Sequence, residues 1–358
     1  MIATSPGTRL RPSLIDPLSD SGWDRFVNNH PAGTVFHTAA WARVLCHTYQ
    51  YEPRYHVLLD ENGAIAAALP TMFIASRLTG RRMVSLPFCD HFRPLINGPE
   101  EGRLLLESLL ADAEESRCRW VEIRGWTDHA SPPDPLVSAR GYVRHVVDLR
   151  GGSEAVFRGA SENARRSVRK AERGGMTVRL GESPRDVEAF YALNLKLRRR
   201  HSMLPQPRGF FTEIYRQLVE PGKGFILLAE RDGESVAALL CLRHNDVTID
   251  KYAVSDSALW HLGGPHFVMW KSLALEAERG VGWYDMGRSD ASAEGLHRFK
   301  EQWGAERVDA PYLYFPSPAG QNVADPRGIK KSLLEAFTRV SPDALFVRAG
   351  ALAYRHVG

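Results

Sequence analysis

Residues 225–255 read FILLAERDGESVAALLCLRHNDVTIDKYAVS, and this stretch decides the fold. FILLAE at 225–230 and SVAALLCL at 235–242 read as two short strands. Asp232-Gly233 between them is a hairpin signal, because a two-residue turn of this kind needs φ > 0 and that pair tolerates it. A short turn around Asn245-Asp246 then leads into VTIDKYAVS at 247–255, a third strand. The three strands are expected to pair antiparallel. Downstream, a loop with Gly263, Gly264 and Pro265 opens a helix that stops at Gly280, since Pro suits a first helical turn and Gly a helix end. WYDMG at 283–287 is a buried-looking strand. Reached through a helix, it is expected to return parallel by a right-handed crossover. One parallel strand after three antiparallel ones makes a sheet that splays near its middle, where a ligand can enter.

Working outward, SEAVFRGASENARRSVRKAER at 153–173 reads as one helix ended by Gly174-Gly175. MTVRL at 176–180 alternates like a strand. Ser183, Pro184 and Asp186 form a helix start with a reciprocal cap. AEGLHRFKEQWG at 293–304 reads as a helix and RVDAPYLYF at 307–315 as one strand. The first half repeats the order. A helical stretch at 36–48 precedes HVLLD at 56–60, Asn62-Gly63 turns the chain into AIAAALPTMFI at 64–74, and MVSLPF at 83–88 is a third strand. A helix covers about 100–117, and RWVEIRG at 119–125 matches WYDMGR at 283–288 in size and position. The two hairpin turns lie 170 residues apart and the two post-helix strands about 163, so the halves read as a duplicated α/β unit. The expected domains are 1–150 and 151–318, with a helical tail over 319–358.

The totals agree with two domains: 358 residues, 44% hydrophobic and 25% charged. Basic side chains exceed acidic ones by four, 46 against 42, so contact with nucleic acid must come from local clusters. Cys46, Cys89, Cys118 and Cys241 stand far apart, with no CxxC pair and no zinc spacing, which points to no metal and to a reducing cytoplasm. The N-terminal MIATSPGTRLRPSLIDPL has no charged head before an apolar core, so no secretory leader is expected. No apolar run approaches the ~20 residues of a spanning helix, so any membrane contact is expected to be peripheral, at the inner face.

Six stretches carry a family likeness. They are HTAAWARVL at 37–45, SLPFCDHFRPLI at 85–96, SENARRSVRKAERGGMTVR at 161–179, LKLRRRHSMLPQP at 195–207, DKYAVSDSALWHLGGPHFVMW at 250–270 and WYDMGRSDASAEGLHRFKEQWGAE at 283–306. In their order and spacing the chain resembles the Fem-type peptidyl aminoacyltransferases, which have tandem acetyltransferase-like (GNAT-like) domains. The resemblance implies transfer of an aminoacyl group from aminoacyl-tRNA to an amine on a small molecule, a peptide or a cell-wall precursor. Relatives in exopolysaccharide or natural-product pathways make acyl-CoA the alternative donor. No long charged helical hairpin interrupts the second domain, so an extended arm for docking tRNA is not expected. In an ordinary acetyltransferase the amides of a Gly-rich turn hold the coenzyme A pyrophosphate at a helix N-terminus. Here that turn is His261-Leu262-Gly263-Gly264-Pro265-His266, where Pro265 removes one amide.

Amide formation from an activated ester requires loss of an amine proton, stabilisation of a tetrahedral oxyanion and juxtaposition of the two substrates. It requires no covalent nucleophile, tightly bound cofactor or metal. Lys300, beside Phe299 in HRFKEQWG, is by resemblance the cation for the oxyanion or for donor phosphate; otherwise it is a solvated helix lysine. Arg288 ends a strand, where ligands bind in mixed sheets, or pairs with Asp285 or Asp290. Asp90 and His91 follow the third strand of the first half, and by resemblance their loop holds the acceptor, with Asp90 on the amine. Asp256 follows Ser255 at the sheet opening and is either a base or a loop cap. Tyr252 is expected to orient the acyl group, or to pack in the core. Arg198 and His201 belong to a basic knot turned toward a cleft between the domains. Trp270 is expected beside the substrate, with core packing as its alternative. Arg165, Arg166, Arg169 and Lys170 are expected on one broad helix face, for phosphate or tRNA or as a solvated face. A noncatalytic protein that binds RNA or a sugar nucleotide is the rival from another class, because a fold does not prove a reaction.

Overall fold

A computed structural model of the chain describes residues 10–126, 133–316 and 329–356. They form two units. The first holds the described residues up to Gly141, together with 310–316 and 355–356. The second holds Tyr142–Asp309 and 329–354.

In the first unit, strand β1 (Arg11–Ile15) is followed by helices α1 (Trp23–Asn29) and α2 (Ala39–Tyr49). Then come β2 (Glu52–Leu59), β3 (Ile65–Ser76), β4 (Gly80–Val84), α3 (Pro99–Glu115), β5 (Trp120–Ile123) and β6 (Val137–Arg140). β1 to β4 pair antiparallel in order, and β5 joins β4 in parallel over Arg82↔Trp120 to Val84↔Glu122. Thr38 caps α2 by accepting the Trp41 amide, which aims Trp41, Val44 and Leu45 into the core. β4 is shorter than the expected strand at 83–88, because Leu86 and Phe88 turn the chain with φ of 38° and 62°.

The second unit opens with β7 (Tyr142–Asp148), then α4 (Gly152–Gly159), α5 (Glu162–Arg173), β8 (Thr177–Gly181), α6 (Pro184–Arg200), α7 (Arg208–Ile214), β9 (Gly224–Arg231), β10 (Glu234–His244) and β11 (Val247–Ser255). After α8 (Gly264–Glu278) come β12 (Trp283–Asp290), α9 (Glu294–Glu301) and β13 (Glu306–Asp309). The sheet order is β13-β7-β12-β11-β10-β9-β8. β9, β10 and β11 are antiparallel and β12 joins β11 in parallel, as the turn and crossover signals require. Asp232 and Gly233 take φ of 53° and 80° in the hairpin turn. On one face of this sheet Leu239, Cys241, Met286 and Val147 pack under α4, α5 and α8 through Val156, Val168 and Phe267. On the other, Tyr252 meets Phe210 and Phe211 of α7.

Three local expectations change. The helix read over 153–173 is two, α4 and α5, because Ser161 leaves the helix at Ala160 and caps α5 by accepting the Ala164 amide. The strand read over 307–315 is also two. It breaks at Ala310-Pro311, and β14 (Tyr312–Phe315) joins the first sheet between β5 and β6. Conversely β7, which the 1–150 boundary gave to the first half, pairs with β12 and β13 in the second sheet. Each sheet therefore contains one strand that the sequence places beside the other unit. The tail forms α10 (Ile329–Val340) and α11 (Asp343–Tyr354), separated at Ser341-Pro342; the expected tail residues 319–328 lie outside the described residues.

Candidate active site

β11 and β12 pair for three residues, Val247↔Trp283 to Ile249↔Asp285, and then part. Each strand is bulged against its other neighbour at that point. β11 shifts register on β10 so that Lys251 is the extra residue, and β12 shifts on β7 around Gly287, whose φ is +71°. Bulges raise local twist, and two facing bulges open the sheet. Asp285 is buried; its carboxylate accepts from Arg144 at 2.9 Å and from the Gly287 amide at 2.9 Å. The Gly287 carbonyl, turned by the left-handed backbone, accepts from Lys300 Nζ at 2.7 Å. Lys300 is 5% exposed. The solvated-lysine reading therefore gives way to a buried cation at the opening.

His297, one turn before Lys300, is buried and stacks on His145 of β7 with centroids 5.2 Å apart. Among the described residues neither ring nitrogen of His145 has a hydrogen-bond partner. Burial, and then the charges of Lys300 and His297, hold His145 down at about 4. At neutral pH the imidazole is thus uncharged. Arg144, His145 and His297 escaped sequence reading. β7 carries no motif, and its contact with Asp285 spans 141 positions.

The other expected residues are dispersed. Arg288 stacks its guanidinium over Tyr142 at 4.2 Å, while Arg144 takes the Asp285 partner proposed for it. Phe299 meets His266 edge-on at 4.9 Å. Tyr252 lies on the α7 face, 5.3 Å from Phe211. Asp256 caps a short turn by accepting the Ala258 amide and pairs with Lys196 at 2.6 Å, which lowers its pKa and makes it a weak base. The basic knot is largely structural. Arg198 leans on Gln206 and Met203, and Arg200 stacks on Trp260 at 3.8 Å. Arg199 donates to the carbonyls of Thr338 and Ser341 and pairs with Asp343, tying α6 to α10 and α11. His201 ends α6, where partial desolvation of its ring and then the charges of Arg200 and Arg198 lower its pKa. The four basic residues of α5 do not act together. Arg166 pairs with Glu162 at 2.6 Å and Lys170 is exposed, whereas Arg165 and Arg169 line a cavity with Trp270. In the first unit, Asp90 is half-buried in its loop and His91 accepts from Arg93 at 3.1 Å.

The equivalent seam of the first unit stays closed. Beyond Val84↔Glu122, Ser85 donates its amide to Glu122 and its hydroxyl accepts the Arg124 amide, both at 2.8 Å. Glu122 and Arg124 then pair in the interior at 2.8 Å. Among the described residues, only the second unit has its parallel strands parted by paired bulges.

Residues 158–301 match the acetyltransferase (GNAT) domain family. The second unit thus carries a GNAT domain, and the chain as a whole has a tandem GNAT fold. The crystal structure of FemX is similar to it with a TM-score of 0.66 at 15% identity, over 85% of this chain and 97% of that one. A tandem GNAT protein from the clavulanic acid biosynthesis pathway gives 0.55 at 11% identity, over 86% and 98%. L-PGS from Bacillus licheniformis gives 0.54 at 13%, over 89% and 96%. No match was found among the curated proteins. In this tandem GNAT chain the turn before α8 is tightly backed. A Cβ on Gly263, which has φ of +83°, would lie 2.6 Å from the Ser167 carbonyl oxygen of α5, and one on Gly264 would lie 2.8 Å from Val236. Among the described residues there is no cluster of three metal-ligating side chains and no helix long and apolar enough to cross a membrane.

Proposed function

We propose that this protein forms an amide by passing an activated amino acid, carried on tRNA, directly to an amine. The observation that carries the reading is Lys300, a buried ammonium at the parting of β11 and β12 in a GNAT domain. The acceptor nitrogen attacks the ester carbonyl, a C–N bond forms, and the bond from the acyl carbon to the ribose oxygen breaks as the tetrahedral oxyanion collapses. Lys300 neutralises that oxyanion, with Arg288 adding positive potential. The proton lost by the amine leaves on the departing oxygen or to solvent. Thiol chemistry is disfavoured, because burial raises Cys46 and Cys118 to about 11 and Cys241 further. A tRNA donor is supported by the turn before α8, which lacks the Pro265 amide and is backed by the Ser167 carbonyl, a poor surround for a pyrophosphate. Charged tRNA also places the protein in the cytoplasm. The acceptor is an amine, with a cell-wall peptide or natural-product amine as its class. The GNAT match keeps acyl-CoA as the second donor to be tried.

The test is donor consumption by the purified protein with charged tRNA or acetyl-CoA and an amine panel. RNase should abolish the reaction. Lys300→Ala should lower kcat by roughly 10²–10³-fold, as loss of an oxyanion donor does, with the thermal melt retained. A folded Lys300→Ala protein at full rate would remove Lys300 from the mechanism. Turnover with acetyl-CoA alone would replace tRNA as donor.

A further inference from the structure

A cavity of about 560 Å³ lies within the second unit, where α4, α5 and α8 meet. That volume suits a small ligand or one nucleotide. Its apolar wall is an aromatic pair, Phe157 and Trp270, with centroids 4.5 Å apart and planes at 42°, both half-buried. Its polar wall is guanidinium. Arg165 is fixed by two carbonyls at the end of α4, Arg158 O at 2.6 Å and Ala160 O at 2.8 Å, which orient its charge without cancelling it. Arg169 lies over the Phe157 ring at 6.0 Å, and Arg158 stands exposed on the rim. Glu154 and Glu162 also line the cavity, but Glu162 is paired with Arg166 at 2.6 Å, so the local balance remains positive.

We infer that this cavity is a nucleotide pocket, taking one base against Phe157 and Trp270 and its phosphates on Arg158, Arg165 and Arg169. Aromatic faces stack any base, and clustered guanidinium groups track the phosphates beside it. A lipid headgroup or a carboxylate metabolite would use the arginines and leave the aromatic faces without a role. The inference rests on reading the second unit as the donor-handling copy, and it separates a binding handle for the donor's nucleotide from the reacting centre at Lys300. The nucleotide belongs either to the single-stranded end of an RNA or to the 3′,5′-ADP portion of coenzyme A.

The experiment is calorimetric titration of the full chain with a five-nucleotide single-stranded RNA and, separately, with 3′,5′-ADP, at low and moderate salt and without acceptor. One or both probes should bind. Trp270→Ala should weaken binding by roughly 5- to 150-fold, the loss of one base–aromatic stack, while Trp270→Phe keeps most of it. Arg169→Ala, an exposed change that folding tolerates, should weaken RNA binding and reduce the salt slope by about 0.7. Binding of RNA alone assigns the pocket to an RNA donor, and binding of 3′,5′-ADP alone assigns it to coenzyme A. Failure of both probes, or binding unaltered by Trp270→Ala and Arg169→Ala, overturns the pocket. Lys300→Ala should bind as the unaltered protein does, so an empty pocket and a wrongly placed Lys300 give different results.

Discussion

Lys300 and His297 are three residues apart on α9, so they share a face and enter the same buried space. His145 meets them from β7, and its suppressed pKa has a measurable consequence. Its folded value, about 4, lies below the ordinary 6.5 of the unfolded chain. His56 in the first unit is likewise held at about 4, mainly by burial. Between these values the unfolded state binds more protons. Stability is therefore complete above pH ~6.5 and falls as pH drops toward 4, by up to about 1.4 kcal/mol per pH unit for each histidine. Urea midpoints at pH 7.5, 6 and 5 should decline over that range, more gently in His145→Phe. A flat profile would mean that these imidazoles protonate in place. At this scale the sequence singled out Lys300, because a lysine beside Phe299 belongs to a recognisable run. It could not show that the side chain is buried, since burial depends on β12 and β7 closing over α9.

The elements that were legible are those whose signals are local. Ser183 and Asp186 cap α6 reciprocally as their spacing requires, and Asp232-Gly233 makes the β9–β10 hairpin. The misread elements are continuous patterns interrupted by one or two residues: Ala160-Ser161 between α4 and α5, and Ala310-Pro311 between β13 and β14. A basic run is equally ambiguous until its partners are known. Arg199 is the clearest case. It donates to Thr338 and Ser341, pairs with Asp343 at 2.6 Å and lies over Phe346 at 4.3 Å, so it closes the carbonyl end of α10 and the start of α11. Arg199→Ala should destabilise this helical pair by about 1.5–3 kcal/mol, the range of charged hydrogen bonds in partly buried settings. Hydrogen exchange should quicken over 334–354 and stay unchanged in β9–β11. Unchanged protection of α11 would show that its packing on the Pro205 loop, where Gly350 leaves no room for a Cβ, suffices.

For the whole molecule, duplication and exchange pull in different directions. The two sheets share the antiparallel-then-parallel order, yet β7 and β14 each serve the sheet whose unit the sequence read as the neighbour. β7 lies between β12 and β13, so a fragment of residues 151–358 leaves β13 without a partner and exposes β12 beside Lys300. That fragment should lose cooperative thermal unfolding, whereas one of residues 142–358 should keep much of it. Equal melts would make β7 dispensable. The repeat itself, its hairpins and its helix caps follow from the sequence alone, because turns and caps are settled by atoms within a few residues of each other. Which sheet receives β7 and β14, which parallel seam opens, and the meeting of Trp270 with Arg165 and Arg169 were decided by the tertiary structure. Those outcomes depend on hydrogen bonding and burial between residues far apart in the chain, 141 positions for Arg144 with Asp285 and 194 for Phe315 with Val121, and no local pattern encodes them.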